Sequence, residues 1–212
     1  MNLPNKLTVI RILLVPIMVI ISFLNIPGEF AGVPMKMIIL DIIFIIASIT
    51  DKLDGTIARK TNKITTFGKF LDPIADKILV VAALIMFVEM GKVPAWIPIV
   101  IIFREFAVSG YRLIAVQNEG KVIAANMWGK LKTVSQMIAI ILMFITTQPY
   151  FAFIHRTASK VEAIMESSKV YMTTGDFIIN ILASIMLTIA VVATIFSGYE
   201  YLKGGKDLLK DC

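Results

Sequence analysis

Asp51-Lys52-Leu53-Asp54-Gly55-Thr56-Ile57-Ala58-Arg59 ends one long apolar run, and Gly68-Lys69-Phe70-Leu71-Asp72-Pro73-Ile74-Ala75-Asp76 begins the next. On a helix, positions 51, 54, 55, 58 and 59 fall at i, i+3, i+4, i+7 and i+8 and share one face. That face carries two carboxylates, two small residues and an arginine. Positions 68, 72 and 76 fall at i, i+4 and i+8 and again share a face. The polar loop from Lys60 to Phe67 is short, so the two helices are expected to be antiparallel neighbours with these faces able to meet.

Working outward, the apolar segments read 7–24, 34–58, 70–89, 94–116, 131–148 and 176–202. A hydrocarbon core of roughly 30 Å needs about 20 helical residues to cross. Lipid admits only helices or closed barrels, and these runs lack barrel alternation. The expected fold is therefore an all-α integral membrane protein, a bundle of six transmembrane helices with a polar cavity facing the cytoplasm. No repeat or linker divides residues 1–212, which read as one membrane domain.

Composition points the same way. Of 212 residues, 58% are hydrophobic and only 17% charged, whereas a soluble domain is about half apolar and about a quarter charged. The single cysteine, Cys212, has no partner for an internal disulfide. The net charge of +6 does not indicate a nucleic-acid partner, because the basic residues flank apolar runs and suit anionic lipid headgroups. Lys6, Arg11, Arg59, Lys60, Lys63, Lys69, Lys121, Lys130, Lys132, Lys203, Lys206 and Lys210 fall on one side. That side is expected to be cytoplasmic, with both termini there and the protein multi-pass in the cell membrane. The other side has short turns at Pro27-Gly28 and Gly91-Lys92 and a mixed-charge segment, 149–175, with room for a short interfacial helix. His155 lies in it alone and is not expected to be a ligand. No small-residue cleavage site follows the first span, which reads as an uncleaved helix.

Four aspartates brought together need positive charge among them. Divalent cations with oxygen ligands are the natural partner. Two such ions about 4 Å apart, clamping phosphate oxygens, are a recurrent solution for displacement at phosphorus. Gly55 and Ala58 would let a phosphate approach the backbone, and Arg59 can hold a phosphoryl oxygen bidentately. Ion pairs such as Asp54 with Arg59, or Asp72 with Lys69 or Lys77, would explain single residues but not the whole face. A divalent-cation transporter is the competing class, since intramembrane carboxylates mark ion paths. Against it, the carboxylates cluster at one membrane face, and only Asp41 lies deeper.

These residues resemble the signature of the CDP-alcohol phosphatidyltransferase family, D-x2-D-G-x2-A-R-x8-G-x3-D-x3-D, with every fixed position and both spacers filled. Three more segments resemble the members that take a phosphorylated glycerol: Asn5-Lys6-Leu7-Thr8-Val9-Ile10-Arg11, Arg104-Glu105 through Ser109-Gly110-Tyr111-Arg112, and Gly129-Lys130-Leu131-Lys132-Thr133 with Gln136-Met137. Tyr111 stands where leucine is commoner. The resemblance covers roughly residues 2–140 and implies a homodimer. It implies transfer of the phosphatidyl group of CDP-diacylglycerol to sn-glycerol 3-phosphate, by attack of the acceptor hydroxyl on the β-phosphorus with CMP leaving. It also implies that Asp51, Asp54, Asp72 and Asp76 bind two Mg²⁺ or Mn²⁺ ions and that Asp76 is the general base. Gly55, Ala58, Arg59 and Thr65 would line the CDP pyrophosphate, with Asn5 and Thr8 near the nucleotide.

An acceptor phosphate needs cations of its own. Arg104 and Arg112, at i and i+8, share a face about 12 Å apart along the axis, and Lys130 and Lys132 begin the fifth span. These four are the candidate glycerol-3-phosphate residues. The nearest alternative keeps the chemistry and changes the acceptor, to phosphatidylglycerol, serine or an inositol phosphate.

Overall fold

The computed structural model describes the backbone of residues 3–61, 66–119, 127–151 and 174–204. Side chains are described within these ranges except at 3–7, 51–61, 66–73, 76, 112–119, 202 and 204. Six long helices account for most of it: α1 (Leu3–Phe23), α2 (Met35–Thr61), α3 (Thr66–Glu89), α4 (Trp96–Glu119), α5 (Met127–Ile145) and α6 (Thr174–Gly204). Each matches an apolar segment of the sequence and overruns it by a few residues at a polar end.

Pro16 and Pro73 interrupt neither α1 nor α3. Pro98 stands in the first turn of α4, where a missing N–H is harmless. The expected turn at Pro27-Gly28 is a small antiparallel hairpin, β1 (Glu29–Phe30) paired with β2 (Val33–Pro34). Its two-residue loop, Ala31-Gly32, has positive φ at both positions (54° and 80°), which matches the twist of the strands. Ala31 gives no sequence signal for such a turn, since the usual first residue is asparagine or aspartate.

α1 packs on α2 and α3, the two helices that carry the aspartates. α5 packs most extensively on α6 and also meets α2, while α4 lies between α3 and α6. The core is centred on Phe44, Phe87 and Phe144, from α2, α3 and α5, with Phe87–Phe144 centroids 4.6 Å apart. Leu40, Leu84, Ile97, Ile140 and Leu187 complete it.

Large apolar side chains also point outward at helical spacing. Examples are Leu13 and Ile20 on α1, Ile42, Ile46 and Ile49 on α2, Ile99, Phe103 and Phe106 on α4, and Ile185, Val192 and Ile195 on α6. Water tolerates few such patches, whereas lipid favours them. Among the described residues, Met127–Ile145 and Thr174–Tyr201 are long and apolar enough to cross a membrane, and Thr8–Phe23 is a shorter apolar helix. Hydroxyls inside the helices donate to the preceding turn: Ser48 to the Phe44 carbonyl (2.7 Å), Thr188 to Ser184 (2.8 Å), Thr194 to Ala190 (2.6 Å). They thereby avoid an unmet polar group in an apolar setting.

One end of the bundle is tied by polar contacts. Lys92, in the α3–α4 turn, is buried, and its ammonium donates to the carbonyls of Met143 (2.9 Å) and Thr146 (2.6 Å) at the C-terminus of α5. Asp176, in the first turn of α6, accepts from the Thr146 hydroxyl (3.0 Å), the Thr147 amide (3.1 Å) and the Thr147 hydroxyl (2.6 Å). Asn180 donates to the Pro149 carbonyl at 2.9 Å. Burial lowers the Lys92 pKa from 10.5 to about 8, with Asp176 opposing the shift. Lys92 lies in the short turn expected from the sequence, yet it is not a surface charge. It is instead a cation satisfying the exposed carbonyls of a helix C-terminus. Because the α3–α4 turn and the end of α5 meet here, the N-terminus of α3 and the C-terminus of α2 lie at the opposite end.

Candidate active site

At that opposite end, α3, α4, α5 and α6 bring cations together. Lys132, in the second turn of α5, is nearly buried and forms an ion pair with Glu105 on α4. Arg104 Nη1 lies 3.7 Å from the same carboxylate. Lys77, the residue after Asp76 on α3, donates to the Ser109 hydroxyl and lies 3.5 Å from the Glu105 carbonyl oxygen. Lys132 is within electrostatic reach of both Arg104 and Lys77.

The local sequence explains the convergence. Glu105 and Ser109, at i and i+4, share the face of α4 that looks toward α3 and α5. Arg104, one position back, turns toward α6, where it donates to the Ser197 hydroxyl and lies 5.6 Å from the Tyr201 ring centre. Trp128 on α5 stacks on Phe196 of α6, with centroids 5.0 Å apart, and pins this end of the pair. A buried cation is costly unless paired and hydrogen-bonded. Glu105 and Ser109 on α4 and Ser197 and Tyr201 on α6 meet this need.

Of the four residues expected to hold an acceptor phosphate, Arg104 and Lys132 are brought together. Lys130 is exposed at the start of α5, and the side chain of Arg112 lies outside the described residues. Arg11 and Lys132, read from sequence as boundary charges, are both buried. Thr8 is buried one turn before Arg11, on the helix that packs against α2 and α3.

The structure adds Lys77, Glu105, Ser109, Ser197 and Tyr201. Lys77 could have been sought from its place beside Asp76. Ser197 and Tyr201 carry no local signal, because they gain meaning only from Arg104, which lies 93 residues before Ser197 in the chain. Farther along α4 and α5, the buried Tyr111 Oη and Gln136 Nε2 have no hydrogen-bond partner among the described residues.

The aspartates are placed by backbone. Asp51 and Asp54 lie on α2 and Asp72 and Asp76 on α3, each helix unbroken through its pair, and the two helices are in contact. Their side chains, with those of Asn5, Gly55, Ala58 and Arg59, lie outside the described residues, as does all of Thr65. The 152–173 part of the segment expected to hold an interfacial helix, and Cys212, lie outside them too. Among the described residues no three His, Cys, Asp or Glu side chains form a group able to hold a metal. The donor set on α2 and α3 is all carboxylate, at helical spacings that keep each pair on one face. That chemistry fits a hard divalent cation.

Comparison with known proteins adds a lineage. The profile of the CDP-alcohol phosphatidyltransferase family matches residues 1–196. A protein of Bacillus subtilis (strain 168) named CDP-diacylglycerol–glycerol-3-phosphate 3-phosphatidyltransferase is 41% identical over 99% of this chain and 97% of its own length. Proteins of the same name from Haemophilus influenzae and Rickettsia typhi are 36% and 34% identical, over 99% and 97% of this chain and 96% and 97% of their own.

Proposed function

This chain belongs to the CDP-alcohol phosphatidyltransferase family, and we propose that it transfers the phosphatidyl group of CDP-diacylglycerol to sn-glycerol 3-phosphate. The products are phosphatidylglycerophosphate and CMP, so the enzyme serves phospholipid biosynthesis. Full-length relatives carry that name. The observation that carries the choice of acceptor is the gathering of Lys77, Arg104 and Lys132 around Glu105, at the aspartate end of the bundle. A phosphate monoester carries close to two negative charges near neutral pH. A cluster of cations suits it, and suits serine or a neutral alcohol poorly.

In the reaction, the acceptor hydroxyl oxygen forms a bond to the phosphorus that bears the diacylglycerol. The bond from that phosphorus to the CMP oxygen breaks, and CMP leaves with the electron pair. A carboxylate oxygen of Asp76 takes the hydroxyl proton. Asp51, Asp54, Asp72 and Asp76 would hold two divalent ions, Mg²⁺ or Mn²⁺. Such ions supply charge neutralisation at the phosphates and a more acidic hydroxyl. Gly55, Ala58, Arg59 and Thr65 line the pyrophosphate, and Asn5 and Thr8 reach the nucleotide. Arg104, Lys132 and Arg112 bind the acceptor's phosphate, with Lys130 at the rim. The helices mainly position reactants and neutralise charge, which is most of what phosphoryl chemistry needs.

We place all six helices across the membrane, with both termini and the site on the cytoplasmic side, and two copies in the working enzyme. The one-sided basic residues support the orientation. Mass analysis of the lipid made by purified protein from CDP-diacylglycerol and glycerol 3-phosphate tests the function. Phosphatidylglycerophosphate is the expected product, and any other lipid, or none, contradicts the proposal.

A further inference from the structure

One turn of α6 grips Arg104 at two points. The Ser197 hydroxyl accepts a hydrogen bond from its guanidinium. The Tyr201 ring centre lies 5.6 Å from the guanidinium carbon, within the range of attraction between a cation and an aromatic face. Gly198 lies beside the stem: a Cβ there would stand 3.4 Å from Arg104 Cγ, at van der Waals contact. Ser197 and Tyr201, at i and i+4, are both buried on the face of α6 that meets α4.

A guanidinium is a rigid planar fork with five donors. Fixing its plane with a ring and one N–H with a hydroxyl fixes the direction of the donors that remain. The grip is also electrically neutral. Glu105, 3.7 Å from Arg104 Nη1, is already shared with Lys132, and a second carboxylate in place of Ser197 would cancel the positive charge that remains, whereas a hydroxyl and a ring hold the group without doing so. An ordered arginine loses less conformational freedom when an anion binds.

We propose that Ser197 and Tyr201 are positioning residues that aim Arg104 at the acceptor's phosphate, making α6 the back wall of the acceptor subsite. This rests on the reading that Arg104 binds that phosphate.

The test uses the full-length protein in detergent, with CDP-diacylglycerol and glycerol 3-phosphate varied in turn and melting temperature recorded. Ser197→Ala and Tyr201→Leu are each expected to raise the KM for glycerol 3-phosphate about tenfold. The KM for CDP-diacylglycerol and the melting temperature stay near wild type. Tyr201→Phe, which keeps the ring, recovers most of the loss. In an Arg104→Ala background, Ser197→Ala adds nothing, because both act through one group.

If Arg104→Ala raises the glycerol 3-phosphate KM but Ser197→Ala and Tyr201→Leu do not, the positioning role fails and the Arg104 reading stands. If Arg104→Ala leaves that KM unchanged, the reading fails and the proposal with it. If the α6 variants raise both KM values and lower the melting temperature together, their role is packing alone and the proposal is overturned. Ser197→Ala removes a single oxygen, so it decides the matter should Tyr201→Leu not fold.

Discussion

The Lys132 ammonium on α5 is ion-paired with the Glu105 carboxylate on α4, and both side chains are largely withdrawn from solvent. The pair locks the start of α5 to the middle of α4, where Arg104 and Ser109 also lie. An anionic acceptor entering here would meet a cation already held in place.

Removing one partner of that pair leaves the other charge stranded. Glu105→Gln is expected to lower stability by about 3 kcal/mol, read as a lower melting temperature in detergent. The combined Glu105→Gln and Lys132→Met variant should recover much of that stability but remain poor at using glycerol 3-phosphate. A single variant as stable as wild type would show that the pair contributes little.

Asp72→Asn and Asp76→Asn are each expected to abolish CMP release, with kcat down by a factor on the order of 10³ or more. Folding should be retained, as judged by helical content and melting. Substantial turnover in either variant removes that aspartate from the mechanism.

Arg112→Ala is expected to raise the glycerol 3-phosphate KM about tenfold to a hundredfold, the loss of a charge-assisted contact. The CDP-diacylglycerol KM should barely move. Steady-state kinetics with each substrate varied separately decide it, and equal effects on both argue against an acceptor role.

Lys92 should leave a pH signature. Its pKa in the folded protein is lowered to about 8 from 10.5. Below pH 8 it is protonated in both states and contributes no slope. Between 8 and 10.5 the unfolded chain binds more protons, so folding stability rises with pH. The gain is on the order of 3 kcal/mol at most. Melting curves of wild type and Lys92→Met across that window should diverge, the wild type gaining relative to the variant. Parallel curves would mean that Lys92 titrates normally.

The helices were legible because an apolar run ended by glycine, proline or charge is a local signal. So were the two helices that carry the aspartates, α2 and α3, which run unbroken through those positions. Lys92 was not, because its burial depends on carbonyls 51 and 54 residues away. The grip on Arg104 was hidden for the same reason: Ser197 and Tyr201 look like ordinary residues of an apolar helix until α4 lies beside them. The hairpin at Glu29–Pro34 was missed because Ala31-Gly32 lacks the usual turn signal.

The most direct measurement is CMP release by purified protein in detergent, with Mg²⁺ and CDP-diacylglycerol, across a panel of acceptors. We expect glycerol 3-phosphate alone to drive rapid release, with chelation of the metal stopping it. Release that is indifferent to glycerol 3-phosphate, or driven instead by serine, phosphatidylglycerol or an inositol phosphate, would contradict the account.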